Sequence, residues 1–146
     1  MVKIAVFDSG LGSLSIIKAI QKICKSEIIY FADQKNYPYG KKSKKQLERI
    51  IKQTIKLLEN FSPDVIVMAS NTPSLMVNTN RKVIGVKPPI RKAMILSKTK
   101  NIAVLATQSA IKSKSLSSYI KKFNFSKDKK IYKVDSSALV DLVESN

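Results

Sequence analysis

The sequence contains no histidine and a single cysteine, Cys24, among its 146 residues. Without histidine, the chain lacks the side chain that most often acts as a general base near neutral pH. One cysteine excludes an internal disulfide framework and fits a reducing compartment. The cysteine and histidine spacing of a zinc site is missing, so we expect no metal site.

Long apolar runs are also missing. No stretch reaches the roughly 20 apolar residues that a membrane-spanning helix requires. The first ten residues, MVKIAVFDSG, predict a short strand with one lysine rather than the longer apolar core of a signal peptide. We therefore expect a cytoplasmic protein with no membrane association, and its hydrophobic fraction of 44% suffices for one ordinary globular core.

Acidic residues are scarce, since 10 Asp and Glu oppose 27 Lys and Arg and give a formal charge of +17. A nucleic-acid-binding protein would have such an excess. However, 24 of these basic residues are lysines spread along the chain, and no aromatic-rich strand is present to stack bases. Arginine is the better reader of phosphates and base edges. We therefore favour a lysine-rich solvated surface, and nucleic-acid binding remains an alternative.

Short runs rich in isoleucine and valine alternate with helical patterns, as in a parallel sheet that is buried on both faces. Repeated βα units of this kind predict a doubly wound, mostly parallel α/β sheet. The predicted strands are residues 2–7, 27–32, 64–69, 82–86, 101–106 and 130–134. The break in composition at Lys87-Pro88-Pro89 predicts two lobes, residues 1–86 and 87–146.

Two helices have a clear apolar face. Residues 43–60 predict a helix that Ser43 caps at its N-terminus. Its buried stripe is Leu47, Ile50, Ile51, Ile55 and Leu58. Residues 13–25 predict a second helix, in which Cys24 is a core thiol rather than a reactive one. Its predicted buried row is Ile16, Ile17, Ile20, Ile23 and Cys24.

Small polar residues follow several predicted strands, and ligands of open α/β sheets bind at the carboxyl ends of the strands. These residues are Asp8 and Ser9, Asp33, Ser70, Asn71 and Thr72, and Thr107. The pattern predicts that they face one crevice. Ordinary turn and helix-capping roles are the alternative for each residue taken alone.

The segment after Asp8 has two interpretations. Its Gly-x-Gly spacing, with Asp33 about twenty residues on, is typical of a dinucleotide-binding loop. Asp8 argues against that interpretation, because a carboxylate close to a pyrophosphate is repelled. An amino acid fits better, since Asp8 can pair with its ammonium group. Ser9 and the following amides could then receive its carboxylate near the helix N-terminus.

Five segments, in order along the chain, resemble motifs of the glutamate racemases in the Asp/Glu racemase superfamily. They are residues 8–15 (DSGLGSLS), 37–40 (YPYG), 69–74 (ASNTPS), 102–107 (IAVLAT) with 111–113 (IKS), and 139–144 (LVDLVE). One such motif is weak, but five in order are specific. The resemblance implies a two-lobe α/β fold and interconversion of L- and D-glutamate without a cofactor. In this family the reaction supplies D-glutamate for cell-wall peptidoglycan.

The resemblance also implies roles for individual residues. Two cysteine thiols flank the substrate's α-carbon in the family, and each exchanges a proton on its own face. By resemblance the catalytic positions are Ser70, at the place of the first cysteine, Asp8, which assists it, and Glu144, which assists the second side. The expected substrate-binding residues are Ser9, Tyr39, Gly40, Asn71, Thr72 and Thr107. The expected partner is a small acidic amino acid, glutamate or aspartate, and a homodimer is left open.

Two features depart from the family pattern. Ser70 carries a hydroxyl where the family has a thiol, and an alkyl hydroxyl is a far weaker acid. The family's second cysteine, in a Cys-Thr-His stretch, has no counterpart in this sequence. We therefore expect a racemase-like chain with an incomplete second lobe, corresponding to the N-terminal part of a longer protein. The alternative is an amino-acid-binding pseudo-enzyme.

Overall fold

The structure is a computed structural model that describes residues 1–145. Strands and helices alternate along the whole described chain. The strands are β1 (Val2–Asp8), β2 (Ser26–Ala32), β3 (Val65–Met68), β4 (Val83–Gly85), β5 (Asn101–Ala106) and β6 (Lys130–Asp135). The helices are α1 (Ser13–Ile23), α2 (Lys44–Glu59), α3 (Asn71–Met76), α4 (Ile90–Leu96), α5 (Gln108–Lys112), α6 (Lys114–Lys121) and α7 (Ser137–Glu144). Two short 3₁₀ turns, Gln34–Asn36 and Tyr39–Lys41, lie between β2 and α2.

The first four strands form one sheet in the order β2-β1-β3-β4, and β5 pairs with β6 in a second, two-stranded sheet. All of these pairings are parallel. β1 is central, since Asp8 lies opposite Ala32 of β2 and Phe7 lies opposite Met68 of β3. The predicted α/β class and the six predicted strands are confirmed, and no strand bound shifts by more than one residue.

The four-stranded sheet is covered on both faces, as in a doubly wound fold. Side chains alternate along β1, so that Ala5 and Phe7 pack in one apolar cluster with α2. Ile4 and Val6 pack in another cluster with Ile17 of α1. Because both faces are buried, residues 4–7 of β1 are all apolar rather than alternating with polar residues.

Helix α2 follows its predicted pattern. Ser43 caps it with a full capping box, in which its side chain accepts from the backbone of Gln46 and the Gln46 side chain accepts from the backbone of Ser43. Ile55 is half-buried and packs against the core. The remaining four residues of the predicted stripe, Leu47, Ile50, Ile51 and Leu58, are buried.

The predicted buried row of α1 is wrong at its end. Ile17 is buried, but Ile23 is 87% exposed and Cys24 is only half-buried. The helix ends at Ile23, and the first pair of the sheet joins Val2 to Ser26. Residues just before Ser26 therefore lie beyond the end of the sheet, where they have no strand to cover.

Within residues 1–145, the β5–β6 sheet is covered on one face only. Ile90, Val104 and Leu116 form a small core on that face. On the other face Leu105 and Tyr132 are more than half exposed. The chain passes from the four-stranded sheet to the two-stranded sheet between β4 and β5. The division into two lobes, residues 1–86 and 87–146, stays a prediction. Within residues 1–145, no helix has the length and hydropathy to cross a membrane.

Leu58→Ala should lower the free energy of unfolding by about 2–5 kcal/mol, because Leu58 is 1% exposed and its loss leaves a cavity under α2. Leu57→Ala is the matched control, since Leu57 is 44% exposed on the same helix and should change stability by no more than about 0.5 kcal/mol. Urea unfolding measures both variants. Equal losses would contradict the assignment of the buried face.

Candidate functional site

A cavity of about 390 Å³ lies at the carboxyl ends of the strands, and residues of both sheets line it. Every predicted catalytic and substrate-binding residue reaches this one cavity, as its lining includes Asp8, Ser9, Tyr39, Gly40, Ser70, Asn71, Thr72, Thr107 and Glu144. Parallel pairing explains this convergence, because it places the ends of all strands of a sheet at the same edge.

Asp8 is the last residue of β1, and its side chain is buried beside the cavity. Its Oδ1 accepts a hydrogen bond from the backbone N–H of Ser9 at 2.6 Å. Burial raises the pKa of the Asp8 carboxyl above its usual value, and the nearby Glu144 raises it further. Hydrogen bonding by Ser9 and by the Ser70 side chain opposes this rise. A carboxylate of this kind gains from pairing with a cation.

Ser70 and α3 continue the site from the end of β3. Ser70 is half-buried and lies close enough to Asp8 to lower the pKa of that carboxyl. Asn71 begins α3 and its side chain is exposed to the cavity. Thr72 is buried, and its Oγ1 lies 3.0 Å from Oγ1 of Thr107, which follows β5. This hydroxyl pair connects the two sheets across the cavity.

The loop through Tyr39 and Gly40 forms another wall. The Tyr39 backbone N–H donates to Oγ of Ser9 at 3.3 Å, and the Gly40 carbonyl accepts from Oγ of Ser109 at 2.6 Å. A Cβ on Gly40 would lie 2.5 Å from Cγ2 of Thr107. Only glycine therefore lets the loop approach the residue that follows β5.

Glu144, on the last turn of α7, reaches the glycine loop. Its Oε1 accepts a hydrogen bond from the backbone N–H of Leu11 at 2.7 Å, and a Cβ on Gly10 would overlap the same oxygen. Glycine at this position therefore makes room for the Glu144 carboxylate. The prediction that the amides after Asp8 are free for a ligand carboxylate is wrong for Ser9 and Leu11, because the protein's own carboxylates occupy them.

Asp33 follows β2 as predicted, but it does not line the cavity, so its predicted place in the shared crevice is wrong. Its carboxylate accepts hydrogen bonds from the Asn36 amide at 2.9 Å and from the Tyr39 hydroxyl at 2.8 Å. Burial and this carboxylate raise the pKa of Tyr39. Asp33 thus supports the loop from behind, and the geometry does not favour a ribose-binding role.

The lining also includes residues that were not among the predicted site residues, and these include Tyr37, Lys41 and Asp141. Lys41 Nζ lies 3.5 Å from Oδ2 of Asp141. Burial raises the pKa of Tyr37, and so do Asp141 and Glu144. The sequence does contain a signal for them, since Lys41 follows the predicted Tyr39–Gly40 contact directly and Asp141 precedes Glu144 by three residues on α7.

The charge of the cavity is opposite to that of the whole chain. Three carboxylates line it, those of Asp8, Asp141 and Glu144, whereas Lys41 is the one basic side chain among its described lining residues. The chain itself has a formal charge of +17. The cavity is therefore suited to a ligand that carries a positive group. Within residues 1–145, no group of three or more His, Cys, Asp or Glu side chains is arranged to hold a metal ion.

The fold and the cavity together define a class of protein. A doubly wound parallel sheet with carboxylate, hydroxyl and amide groups converging at its strand ends is an α/β protein built to bind a small polar molecule.

Comparison with known proteins identifies the family. The chain is 32% identical to the glutamate racemase of Sulfurovum sp. (strain NBC37-1) and 36% identical to that of Haemophilus ducreyi. These alignments cover 98% and 97% of this chain, but only 57% and 56% of the two relatives. No family model matches. The chain belongs to the glutamate racemase family, and it spans little more than half the length of these relatives.

Solved structures agree with this assignment. The glutamate racemase of Francisella tularensis, in complex with D-glutamate, superposes with a TM-score of 0.80 at 28% identity. The Escherichia coli enzyme, in complex with L-glutamate and the activator UDP-MurNAc-ala, superposes with a TM-score of 0.82 at 26% identity. Each match covers 99% of this chain, and 57% and 56% of the two solved chains.

Asp8→Asn should stabilise the protein at neutral pH, because burial makes the ionised carboxyl costly. The pKa of Asp8 is raised in the folded protein, so the folded state binds this proton more tightly than the unfolded state does. The resulting stabilisation of the parent protein is complete below the ordinary pKa of 3.8, and it is lost as the pH rises through the raised pKa. The advantage of the variant in urea unfolding should therefore shrink as the pH falls towards 3.8.

Asp128→Asn is the control for this experiment. Asp128 is exposed, and its hydrogen bond with Lys100 lowers its pKa to about 2. Its removal should give no gain in stability at neutral pH. An Asp8→Asn variant less stable than the parent protein at pH 7 would contradict the electrostatic description of the site.

Gly10→Ala should cost about 0.5–1.5 kcal/mol of stability, because the new methyl group displaces the Glu144 carboxylate from the Leu11 amide. In a Glu144→Ala background the same change should be neutral or slightly stabilising. Unfolding measurements on the four proteins of this double-mutant cycle give the coupling. An equal cost of Gly10→Ala in both backgrounds would show that Glu144 does not occupy this position.

Proposed function

We propose that the cavity binds glutamate, with its α-ammonium group paired to Asp8. The observation that carries this proposal is the buried Asp8 carboxyl, whose pKa is raised by burial and which forms no ion pair within residues 1–145. The family supports glutamate as the ligand, since the solved relatives from F. tularensis and E. coli hold D-glutamate and L-glutamate respectively.

The remaining walls supply groups for the rest of the amino acid. Asn71 offers an amide that makes no hydrogen bond within residues 1–145, and in the proposal it donates to the α-carboxylate. Thr72 and Thr107 add two hydroxyls to the lining. Ser9, Tyr39 and Gly40 hold the loop against the site. These roles need no cofactor.

Racemisation is the activity we propose for this fold. This chain differs from the expected catalytic residues at Ser70, which has a hydroxyl in place of a thiol. Inversion requires a base on one face of the α-carbon and a proton donor on the other. A thiol has a pKa of about 8.5 and forms a thiolate near neutrality, whereas the hydroxyl of Ser70 does not. No histidine is present to activate that hydroxyl. The proposed outcome for the 146-residue chain is binding with turnover close to background.

A binding role without turnover is the second candidate, and Ser70 favours it. Such a protein would keep the Asp8, Asn71 and Thr72 contacts and lack the reactive thiol. The basic nucleic-acid-binding alternative gains no support from the cavity, whose described lining is mainly acidic. Cytoplasmic location, a homodimer and aspartate as a second ligand stay predictions.

Calorimetry with D- and L-glutamate tests the binding proposal. Weak binding of at least one enantiomer is expected, and Asp8→Ala should weaken it because the ammonium loses its partner. Asp64→Ala is the control, since Asp64 is exposed and its carboxylate is bonded to the Lys3 backbone. NAD binding in the absence of amino-acid binding would contradict the proposal and favour the dinucleotide interpretation.

Exchange of the α-proton for deuterium, followed by NMR, tests catalysis on each face separately. The unchanged chain should exchange neither enantiomer above background, because general acid–base groups contribute about 10²–10⁴ each and Ser70 supplies none. Ser70→Cys should permit at most exchange of one enantiomer with retention. Rapid exchange by the unchanged chain would show that another group acts as the base.

A further inference from the structure

We propose that a second cavity, next to the strand-end cavity, binds a small dianion that carries a phosphate group, either free or esterified. This second cavity has a volume of about 520 Å³. Its walls come from the loop after the Tyr39–Lys41 turn, from α5 and from the residues at the start of α7. Gly40, Lys41 and Ser137 line both cavities and so form the boundary between them.

The second cavity is basic, whereas the strand-end cavity is acidic. Three lysines line it, Lys41, Lys42 and Lys112, against the single carboxylate of Asp135. The formal net charge of the lining is therefore +2 at neutral pH. Lysines that converge on one cavity repel one another, and an anion bound among them relieves this repulsion. The two cavities are thus suited to ligands of opposite charge.

The lysines of this cavity have little to neutralise them. Lys42 and Lys112 form no ion pair within residues 1–145. Lys42 is half-buried, where an unpaired charge costs more than it does in open solvent. Lys41 Nζ lies 3.5 Å from Oδ2 of Asp141, but both side chains are more than half exposed, and exposed ion pairs are weak. All three ammonium groups are therefore available to a ligand.

Asp135 offsets only one of the three positive charges. Its Oδ1 accepts hydrogen bonds from the hydroxyl of Ser137 at 2.6 Å and from the Ser137 backbone N–H at 3.0 Å. These bonds lower the pKa of the Asp135 carboxyl, and Lys112 lowers it further. Asp135 is therefore ionised at neutral pH, and two positive charges remain. A phosphate monoester carries about −1.5 to −2 charges at pH 7, so it balances them.

Hydrogen bonds between the walls hold the cavity in shape. Oγ of Ser109 donates to the Gly40 carbonyl at 2.6 Å, and the Gln108 backbone N–H donates to Oγ of Ser137 at 3.1 Å. Gln108 and Lys112 lie four residues apart on α5, which places them on the same face of the helix. The Gln108 side-chain amide makes no hydrogen bond within the described residues, so it can donate to a phosphate oxygen beside the lysines.

The chain offers a matched control for each lysine. Lys45 lies three residues after Lys42, and Lys114 lies two residues after Lys112. Both controls are exposed, and neither lines the cavity. Replacing any of these four lysines by methionine removes the same charge from the chain. A loss of phosphate binding that is limited to Lys42 and Lys112 is therefore specific to the cavity.

The test is a titration of the 146-residue chain with inorganic phosphate, followed by amide NMR at constant ionic strength. Shifts should concentrate in residues 40–43, 108–112 and 135–137. Lys42→Met and Lys112→Met should each weaken phosphate binding about threefold to tenfold, whereas Lys45→Met and Lys114→Met should stay within about twofold. Asp135→Asn keeps an acceptor for Ser137 and should strengthen binding. Acetate, which carries a single charge, should bind more weakly than phosphate.

Three results would overturn the proposal. They are an absence of shifts in these segments, an equal loss in Lys42→Met and Lys45→Met, and acetate binding as tight as phosphate binding. Thermal unfolding checks that each variant is folded, and Lys112→Met gives an independent test of the site. Glycerol phosphate identifies the source of the phosphate group, because tighter binding than inorganic phosphate indicates an ester and equal binding indicates the free ion. Glutamate binding is a separate question, since Lys42 and Lys112 do not line the strand-end cavity.

Discussion

The parallel pairing of β1 with a strand on each side is the constraint on which the site depends. The Asp8 carbonyl accepts from the Asp33 N–H at 2.8 Å, and the Phe7 carbonyl accepts from the Ala69 N–H at 2.8 Å. These bonds fix where three strands end relative to one another. Because residues 4–7 of β1 are apolar and buried, the polar side chain of Asp8 emerges only at the strand's carboxyl end. The position of the carboxylate is therefore a consequence of strand register.

A few contacts between the two sheets then close the cavity. Hydroxyls of Thr72 and Thr107 meet, Ser109 bonds to the Gly40 carbonyl, and Glu144 bonds to the Leu11 amide. Each contact is polar and small, so none of them contributes the stability of an apolar core. They bring three carboxylates together at the cavity of a strongly basic protein.

Local patterns in the sequence predicted most of the fold, whereas features that depend on distant contacts were missed. The strands and α2 follow from apolar periodicity and the Ser43 cap, which are properties of neighbouring residues. Asp33 was misplaced because a strand-end position does not tell whether a side chain points into the site or supports it from behind. Lys41 and Asp141 were missed because 100 residues separate them in the sequence and only the folded chain joins them.

A crystal structure of the chain with bound D-glutamate tests the central claim most directly. The account predicts the α-ammonium nitrogen within hydrogen-bond distance of the Asp8 carboxylate, about 2.7–3.2 Å, with Asp8 still buried at the end of β1. A ligand bound in the opposite direction, with a carboxylate beside Asp8 and its ammonium away from it, would contradict the account. It would mean that the buried carboxylate takes a proton rather than pairing with a cation.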